Sequence, residues 1–210
     1  MWGDRPIAIK EAAEGSGTNN GPAGGPDINQ KENAMEVFEA VRTALAIRNY
    51  KETSVPVDVT RKIVEAGRLS GSAMNGQPWH FIVVDDRDTL RELGSVARTG
   101  PYVSQAPLAI VVAIQKTKFA VADASRAIQC MVLTAWSEGV GSNWVGFFGL
   151  DDVKPILGIP NDIDVLAIIP FGYPPRAVGK GKKNRKPLSE VAHNGRFGQP
   201  FNKSSSDHAA

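Results

Sequence analysis

The side chains that could bind a ligand are concentrated in two stretches of the chain. The first covers residues 70–80, where Ser, Asn, Gln and Gly are frequent and no Asp, Glu, Lys or Arg occurs. Amides and hydroxyls of Ser72, Asn75 and Gln77 on a loop held by an adjacent strand can hydrogen-bond the edge of a planar polar ligand, with Trp79 as a wall. An ordinary Ser- and Gly-rich turn is the alternative, and local evidence favours neither.

The second stretch lies between Pro175 and Pro187 and contains six cations without an acidic residue. These cations are Arg176, Lys180, Lys182, Lys183, Arg185 and Lys186. Because the stretch follows a predicted core strand, it suits a loop that presents cations to one phosphate group. A solvated charged loop is the plain alternative. Nucleic-acid binding is a weaker one, since the stretch is short and the net charge of the chain is only +2.

The motifs that are missing from the sequence restrict the chemistry. With three histidines and one cysteine, the chain has no HExxH pair, no GxSxG motif, no Walker sequence and no cysteine cluster. Hydrolytic triads, metal sites and P-loop chemistry therefore have no support, and any catalysis is expected to depend on a cofactor. The single Cys130 excludes an internal disulfide, is compatible with a reducing cytoplasm, and is expected to be a small buried apolar residue.

Composition places these stretches in one soluble domain with two tails. The chain has 210 residues, of which 42% are hydrophobic and 22% are charged. No apolar run reaches the roughly 18 residues of a membrane helix, and the first residues do not resemble a secretory signal, so a cytoplasmic protein without a membrane partner is expected. Residues 1–34 and 202–210 are predicted to be tails, and residues 35–201 the folded domain.

Apolar periodicity predicts the elements that position the two stretches. Helices are predicted over residues 35–47, 58–69, 87–97, 123–138 and 151–157, and strands over residues 81–84, 108–114, 144–148 and 165–169. Asp58 and Asp123 are the expected N-caps of their helices. The uninterrupted apolar strand 108–114 predicts burial on both faces, and the helix 123–138 is apolar nearly all round and must be central.

The order of these segments resembles that of the FMN-dependent nitroreductase superfamily over residues 35–193. The matching segments are Ile47-Arg48-Asn49-Tyr50, Ser72-x-x-Asn75-x-Gln77-Pro78-Trp79, residues 138–146, Leu157-Gly158-Ile159-Pro160, Phe171-Gly172-Tyr173-Pro174 and Lys183-Asn184-Arg185-Lys186-Pro187-Leu188. Each motif is weak alone, and their shared order supports the resemblance. It implies an α+β domain with a central mixed sheet flanked by helices, and an intertwined homodimer with two FMN sites at the subunit interface.

On the phosphate side, the resemblance assigns cofactor binding to three cations. Arg48 matches the basic residue of an early family motif, and Lys183 and Arg185 match a late Lys-x-Arg pair. The sequence departs from the family at Ala44-Leu45-Ala46, where an Arg-Arg-Ser or Arg-His-Ser run is common, and at Gly71, where proline is usual. The departure removes a cation and a hydroxyl, which would weaken FMN binding unless Lys182 or Lys186 substitutes.

On the flavin side, the resemblance assigns four residues to the cofactor. Ser72 and Asn75 match a loop that contacts the flavin from the partner subunit. Val145 and Gly146 match a segment whose backbone passes the N5 and O4 edge of the ring. No side chain is assigned as a catalytic acid or base, and no metal ligand is expected.

The resemblance also implies a reaction. NAD(P)H would pass a hydride to the flavin N5 and leave, and a nitroaromatic or quinone-like acceptor would then take the electrons in a ping-pong sequence. Other uses of reduced FMN remain open: flavin fragmentation, dehalogenation or an oxygen-dependent oxidase reaction. A non-catalytic FMN carrier is a further alternative. The expected partners are a second copy of the chain and a small substrate, and no nucleic acid.

Overall fold

The computed structural model describes residues 35–146, 150–176, 178 and 183–201. The predicted tails over residues 1–34 and 202–210 lie outside the described residues, so both domain boundaries stay predictions. The end of the predicted strand 144–148 also lies outside, as do Lys180 and Lys182 of the cationic stretch.

Four strands form a sheet through the middle of the described chain. They are β1 (Trp79–Val84), β2 (Leu108–Gln115), β3 (Gly141–Ser142) and β4 (Ile163–Gly172), in the spatial order β1-β2-β4-β3. Each neighbouring pair runs antiparallel. A parallel bridge between Ala46 and Ser142 continues the sheet beyond β3 and makes it mixed. Within the described part of the predicted strand 144–148, Val145 forms an isolated antiparallel bridge to Ile168.

Six α-helices accompany the sheet in the described chain. They are α1 (Val37–Thr43), α2 (Val57–Arg68), α3 (Arg87–Val96), α4 (Ala120–Ser137), α5 (Val153–Leu157) and α6 (Leu188–Val191). Short 3₁₀ turns occupy Ala73–Asn75, Pro101–Gln105 and Leu150–Asp152. Within the residues described here, no helix combines the length and apolar character that a membrane crossing requires.

The core has two halves, one on each face of the sheet, because alternate residues of β2 point to opposite sides. On one face, Ile110 and Val112 belong to a buried cluster with residues of α2 and α4, among them Ile63 and Met131. On the other face, Val111 belongs to a cluster with residues of α3 and α5. Burial of this strand on both faces is therefore confirmed, and so is the α+β fold with a central mixed sheet flanked by helices.

Two predicted helix starts and the predicted burial of Cys130 are wrong. Helix α2 begins after Pro56, and α4 begins after Phe119, so neither Asp58 nor Asp123 is an N-cap. Asp123 lies one turn into α4, where its carboxylate accepts a hydrogen bond from the backbone N–H of Ala73 at 3.0 Å. Cys130 is exposed, so it is not the small buried apolar residue that the sequence predicts.

Helix α1 is shorter than its apolar periodicity predicts, since it ends at Thr43. The chain beyond it pairs with β3: the N–H of Ile47 donates to the carbonyl of Ser142 at 2.8 Å. This approach requires glycine at position 141, where a Cβ would lie only 2.4 Å from Cγ1 of Ile47.

Substitution of Gly141 with Ala tests this close contact. We expect the added methyl group to force the strand and Ile47 apart, which lowers the free energy of unfolding by about 1 to 3 kcal/mol in urea denaturation. Gly71→Ala is the matched control, because no atom lies within 4 Å of a Cβ at that position. Equal stability of the two variants would contradict the contact.

Candidate functional site

A cavity of about 720 Å³ lies beside the C-terminal end of α1, at the β3 edge of the sheet. Its longest wall is formed by one face of α4, at positions that repeat every four residues and therefore share a face. These side chains are Ile128, Gln129, Val132 and Leu133. Residues 142–144 form a second wall, and the uncharged residues Ala44, Leu45 and Ala46 also line the cavity. The cavity thus combines an apolar helix face with amide and hydroxyl groups.

Cations occupy one side of this cavity, where Arg42, Lys183 and Arg185 all contribute to its lining. Lys183 Nζ donates a 2.6 Å hydrogen bond to the carbonyl O of Val41 in the last turn of α1, where helix carbonyls concentrate negative partial charge. Burial lowers the pKa of Lys183, and the charge of Arg185 lowers it further. An anion bound here would favour the protonated form of Lys183, so this side is suited to an anionic group.

The segment after β3 is held in place by the loop that precedes β2. Thr99 Oγ1 donates a 3.1 Å hydrogen bond to the carbonyl of Gly146, and the Asn143 side-chain amide donates to the hydroxyl of Tyr102. Gly100 lies against Val145, since a Cβ on this glycine would lie 2.4 Å from Cγ2 of the valine. These three contacts fix the backbone of residues 143–146 beside the cavity.

The polar loop of residues 70–78 has an unusual backbone. Met74, Asn75 and Gln77 have φ angles of 51°, 54° and 45°, which non-glycine residues rarely adopt. Two hydrogen bonds hold this conformation: the N–H of Gln77 donates to Ser72 Oγ at 2.9 Å, and the N–H of Ala73 donates to Asp123. Asp123 is only 2% exposed, so α4 anchors the loop through a buried carboxylate.

The structure brings together only some of the predicted site residues. Lys183 and Arg185 line the cavity, whereas Val145 and Gly146 directly follow its wall of residues 142–144. Arg48 is exposed and outside the lining. Burial raises the pKa of Tyr50, and the positive charge of Arg48 partly offsets this rise.

Ser72 and Asn75 also lie outside the lining of this cavity, so their role stays a prediction. Sequence reasoning missed Arg42 and the wall of α4. The four-residue repeat along α4 could have identified the wall, but nothing in the local sequence distinguishes Arg42 from other helical arginines.

Comparison with known protein families shows which family has this sequence pattern. The sequence model of the nitroreductase family matches residues 41–112 and 97–173, which together span more than half of the chain. The chain belongs to the nitroreductase family. The resemblance expected from the motif order is thereby confirmed. Lys183 and Arg185 lie beyond the matched residues, so their assignment depends on the cavity rather than on the family match.

Two relatives illustrate the similarity. A protein of Methanothermobacter thermautotrophicus with the provisional name NADH dehydrogenase/NAD(P)H nitroreductase is 36% identical over 156 residues, which is 70% of this chain and 82% of the relative. The structure of an FMN-dependent nitroreductase from Clostridium difficile matches with a TM-score of 0.69 and 28% identity. That match covers 76% of this chain and 99% of the other. The expectation of an oxidoreductase of this family is confirmed.

A third relative has a different reaction in its name. Iodotyrosine deiodinase 1 of Rattus norvegicus is 24% identical over 204 residues, which is 79% of this chain and 72% of the relative. The family match therefore does not define the electron acceptor of this protein.

The anchoring of the polar loop can be tested at Asp123. We expect Asp123→Ala to release the Ala73 N–H and to speed amide hydrogen exchange across residues 72–77, because the strained backbone loses a fixed partner. Asp123→Asn keeps an acceptor oxygen and should retain most of the protection. Asp123 lies 3.9 Å from Arg126 three residues later. Asp88→Ala is the control, because Asp88 pairs with Arg91 at the same spacing on the exposed surface of α3. Unchanged exchange in Asp123→Ala would show that the carboxylate does not hold the loop.

Proposed function

We propose that the cavity beside α1 binds FMN and that the protein is an FMN-dependent NAD(P)H oxidoreductase. The observation that carries the proposal is the pairing of a cationic side with an apolar and amide-containing remainder in one cavity. FMN has the complementary parts, a dianionic phosphate and a flat ring with polar edges. A volume of about 720 Å³ also lies within the usual range of cofactor sites. The FMN-dependent name of the Clostridium difficile relative supports the same assignment.

Different residues of the chain would bind the different parts of FMN. Lys183 and Arg185 would hold the phosphate by charge-assisted hydrogen bonds. The face of α4 would exclude water from one side of the ring, and the backbone of residues 143–146, fixed by Thr99 and Tyr102, would meet its edge. Val145 and Gly146 adjoin the cavity wall without lining it, and Arg48 is outside the lining too, so the roles of all three stay predictions.

We further propose that two copies of the chain complete the site. Large apolar side chains are exposed on α1 and α4, including Val37 at 73%, Phe38 at 75% and Val121 at 65%. A second copy that covers these faces would bury them at a favourable 25 cal/mol per Å² or so. It would also allow the loop with Ser72 and Asn75 to reach the neighbouring cavity, in keeping with the intertwined homodimer that the resemblance implies.

FMN held in this cavity would supply the redox chemistry for moving electrons from NAD(P)H to a nitroaromatic or quinone-like acceptor in a ping-pong sequence. The protein positions the reactants and sets the electrostatics, and no side chain need act as acid or base. Lys183 and Arg185 keep the phosphate fixed, while the segment of residues 143–146 fixes the approach to the ring. A cytoplasmic location and the absence of a nucleic-acid partner remain part of the proposal.

Reductive dehalogenation is the second candidate function, and the iodotyrosine deiodinase relative favours it. The two reactions differ only in the acceptor, so the same binding residues serve both.

The phosphate assignment predicts a specific loss of affinity. We expect Lys183→Ala combined with Arg185→Ala to weaken FMN binding by about 2 to 4 kcal/mol, because two charge-assisted contacts are lost, and to leave riboflavin binding nearly unchanged. Fluorescence titration of the apoprotein measures both ligands. Lys186→Ala is the control, since Lys186 belongs to the same segment but does not line the cavity. Equal losses for the double variant and the control would indicate diffuse surface charge instead of a phosphate site.

The acceptor can be assigned by competition between the two candidate reactions. With NAD(P)H as reductant, we expect a nitroaromatic or quinone to be turned over with parallel lines in double-reciprocal plots, as ping-pong kinetics require. Release of iodide from iodotyrosine is measured on the same enzyme. Faster iodide release than nitroaromatic reduction at equal concentrations would favour the dehalogenase function.

A further inference from the structure

The cationic side of the cavity contains one arginine for which the sequence motifs give no role. Arg42 lies in the last turn of α1 and lines the cavity together with Lys183 and Arg185. It immediately precedes Thr43 and the Ala44-Leu45-Ala46 segment, whose side chains contribute no charge to the cavity. The cation that this segment lacks is therefore available two residues earlier in the chain.

The backbone places Arg42 next to a second cation of the site. The carbonyl of its neighbour Val41 accepts the hydrogen bond from Lys183 Nζ. Lys183 is thus fixed to the same helical turn that bears the Arg42 side chain. Arg42 on this turn, Lys183 bonded to it and Arg185 in the lining of the same cavity can contact a single dianionic group from more than one side.

Arg42 also has a partner that would compete with such an anion. Its Nε and Nη2 atoms donate to the two carboxylate oxygens of Glu39 at 2.8 and 2.7 Å. This pair uses two of the five N–H donors of the guanidinium group. Because Arg42 and Glu39 are both partly exposed, the pair holds the side chain weakly and can exchange Glu39 for a phosphate.

We propose that Arg42 is a phosphate-binding residue of the FMN site, that it replaces the cation absent from Ala44-Leu45-Ala46, and that Glu39 competes with the phosphate for it. This inference rests on the proposed FMN function. An ordinary exposed ion pair on a helix is the competing explanation, and the chain contains a matched example. In α2, Arg68 pairs with Glu65 through the same atoms and the same spacing, away from this cavity.

The test compares FMN with riboflavin, which lacks the phosphate, by fluorescence titration of the full-length apoprotein. Arg42→Ala should weaken FMN about tenfold and leave riboflavin within about twofold, because one charge-assisted contact at a partly exposed site is lost. Glu39→Gln should tighten FMN a few-fold, since the competing carboxylate charge is removed, again without affecting riboflavin. The FMN affinity of Arg42→Ala should also depend less on salt concentration.

The control variants are Arg68→Ala and Glu65→Gln, which should leave the affinities for both flavins unchanged. If Arg42→Ala weakens FMN and riboflavin equally, or weakens neither, the phosphate role of Arg42 is wrong while the FMN site stands. If the unaltered protein binds neither flavin, the proposed function itself fails. Tightening of FMN in Glu65→Gln equal to that in Glu39→Gln would assign the effect to net charge and would also overturn the proposal.

Discussion

The candidate site depends on one close contact, in which the chain after α1 lies against β3. The N–H of Ile47 bonds to the carbonyl of Ser142, and only a glycine at position 141 leaves room for the Ile47 side chain. Helix α1 ends at Thr43, shortly before this contact, and its last turn lines the same cavity as a face of α4. The cavity is the space that these three elements leave, so its shape follows from a backbone contact and not from a functional side chain.

The cations of the candidate site come from outside the segment Ala44-Leu45-Ala46, because its side chains are uncharged. The backbone of this segment pairs with the sheet edge through the bridge at Ala46. Lys183 and Arg185 come from the chain beyond β4, and Arg42 comes from α1. Of the substitutes expected from the sequence, Lys182 lies outside the described residues and Lys186 does not line the cavity.

The sequence predicted those parts of the fold that local patterns determine. The apolar run of β2 and the apolar faces of α4 follow from burial, so both elements were predicted within three residues of their observed ends. Long-range partners were not predictable in the same way. Asp123 has the residue type of an N-cap, but it bonds to Ala73, fifty residues earlier. Likewise, the end of α1 depends on Ser142, and Arg42 becomes a site residue only because α4 and Lys183 lie beside it.

The central claim is that this cavity supports electron transfer from NAD(P)H through bound FMN to a second substrate, and the two half-reactions measured without oxygen test it most directly. The protein loaded with FMN should lose its flavin absorbance on addition of NADH or NADPH and regain it on addition of a nitroaromatic or quinone. If dithionite reduces the flavin but neither nicotinamide does, the NAD(P)H-dependent electron transfer proposed here is contradicted, even though FMN is bound.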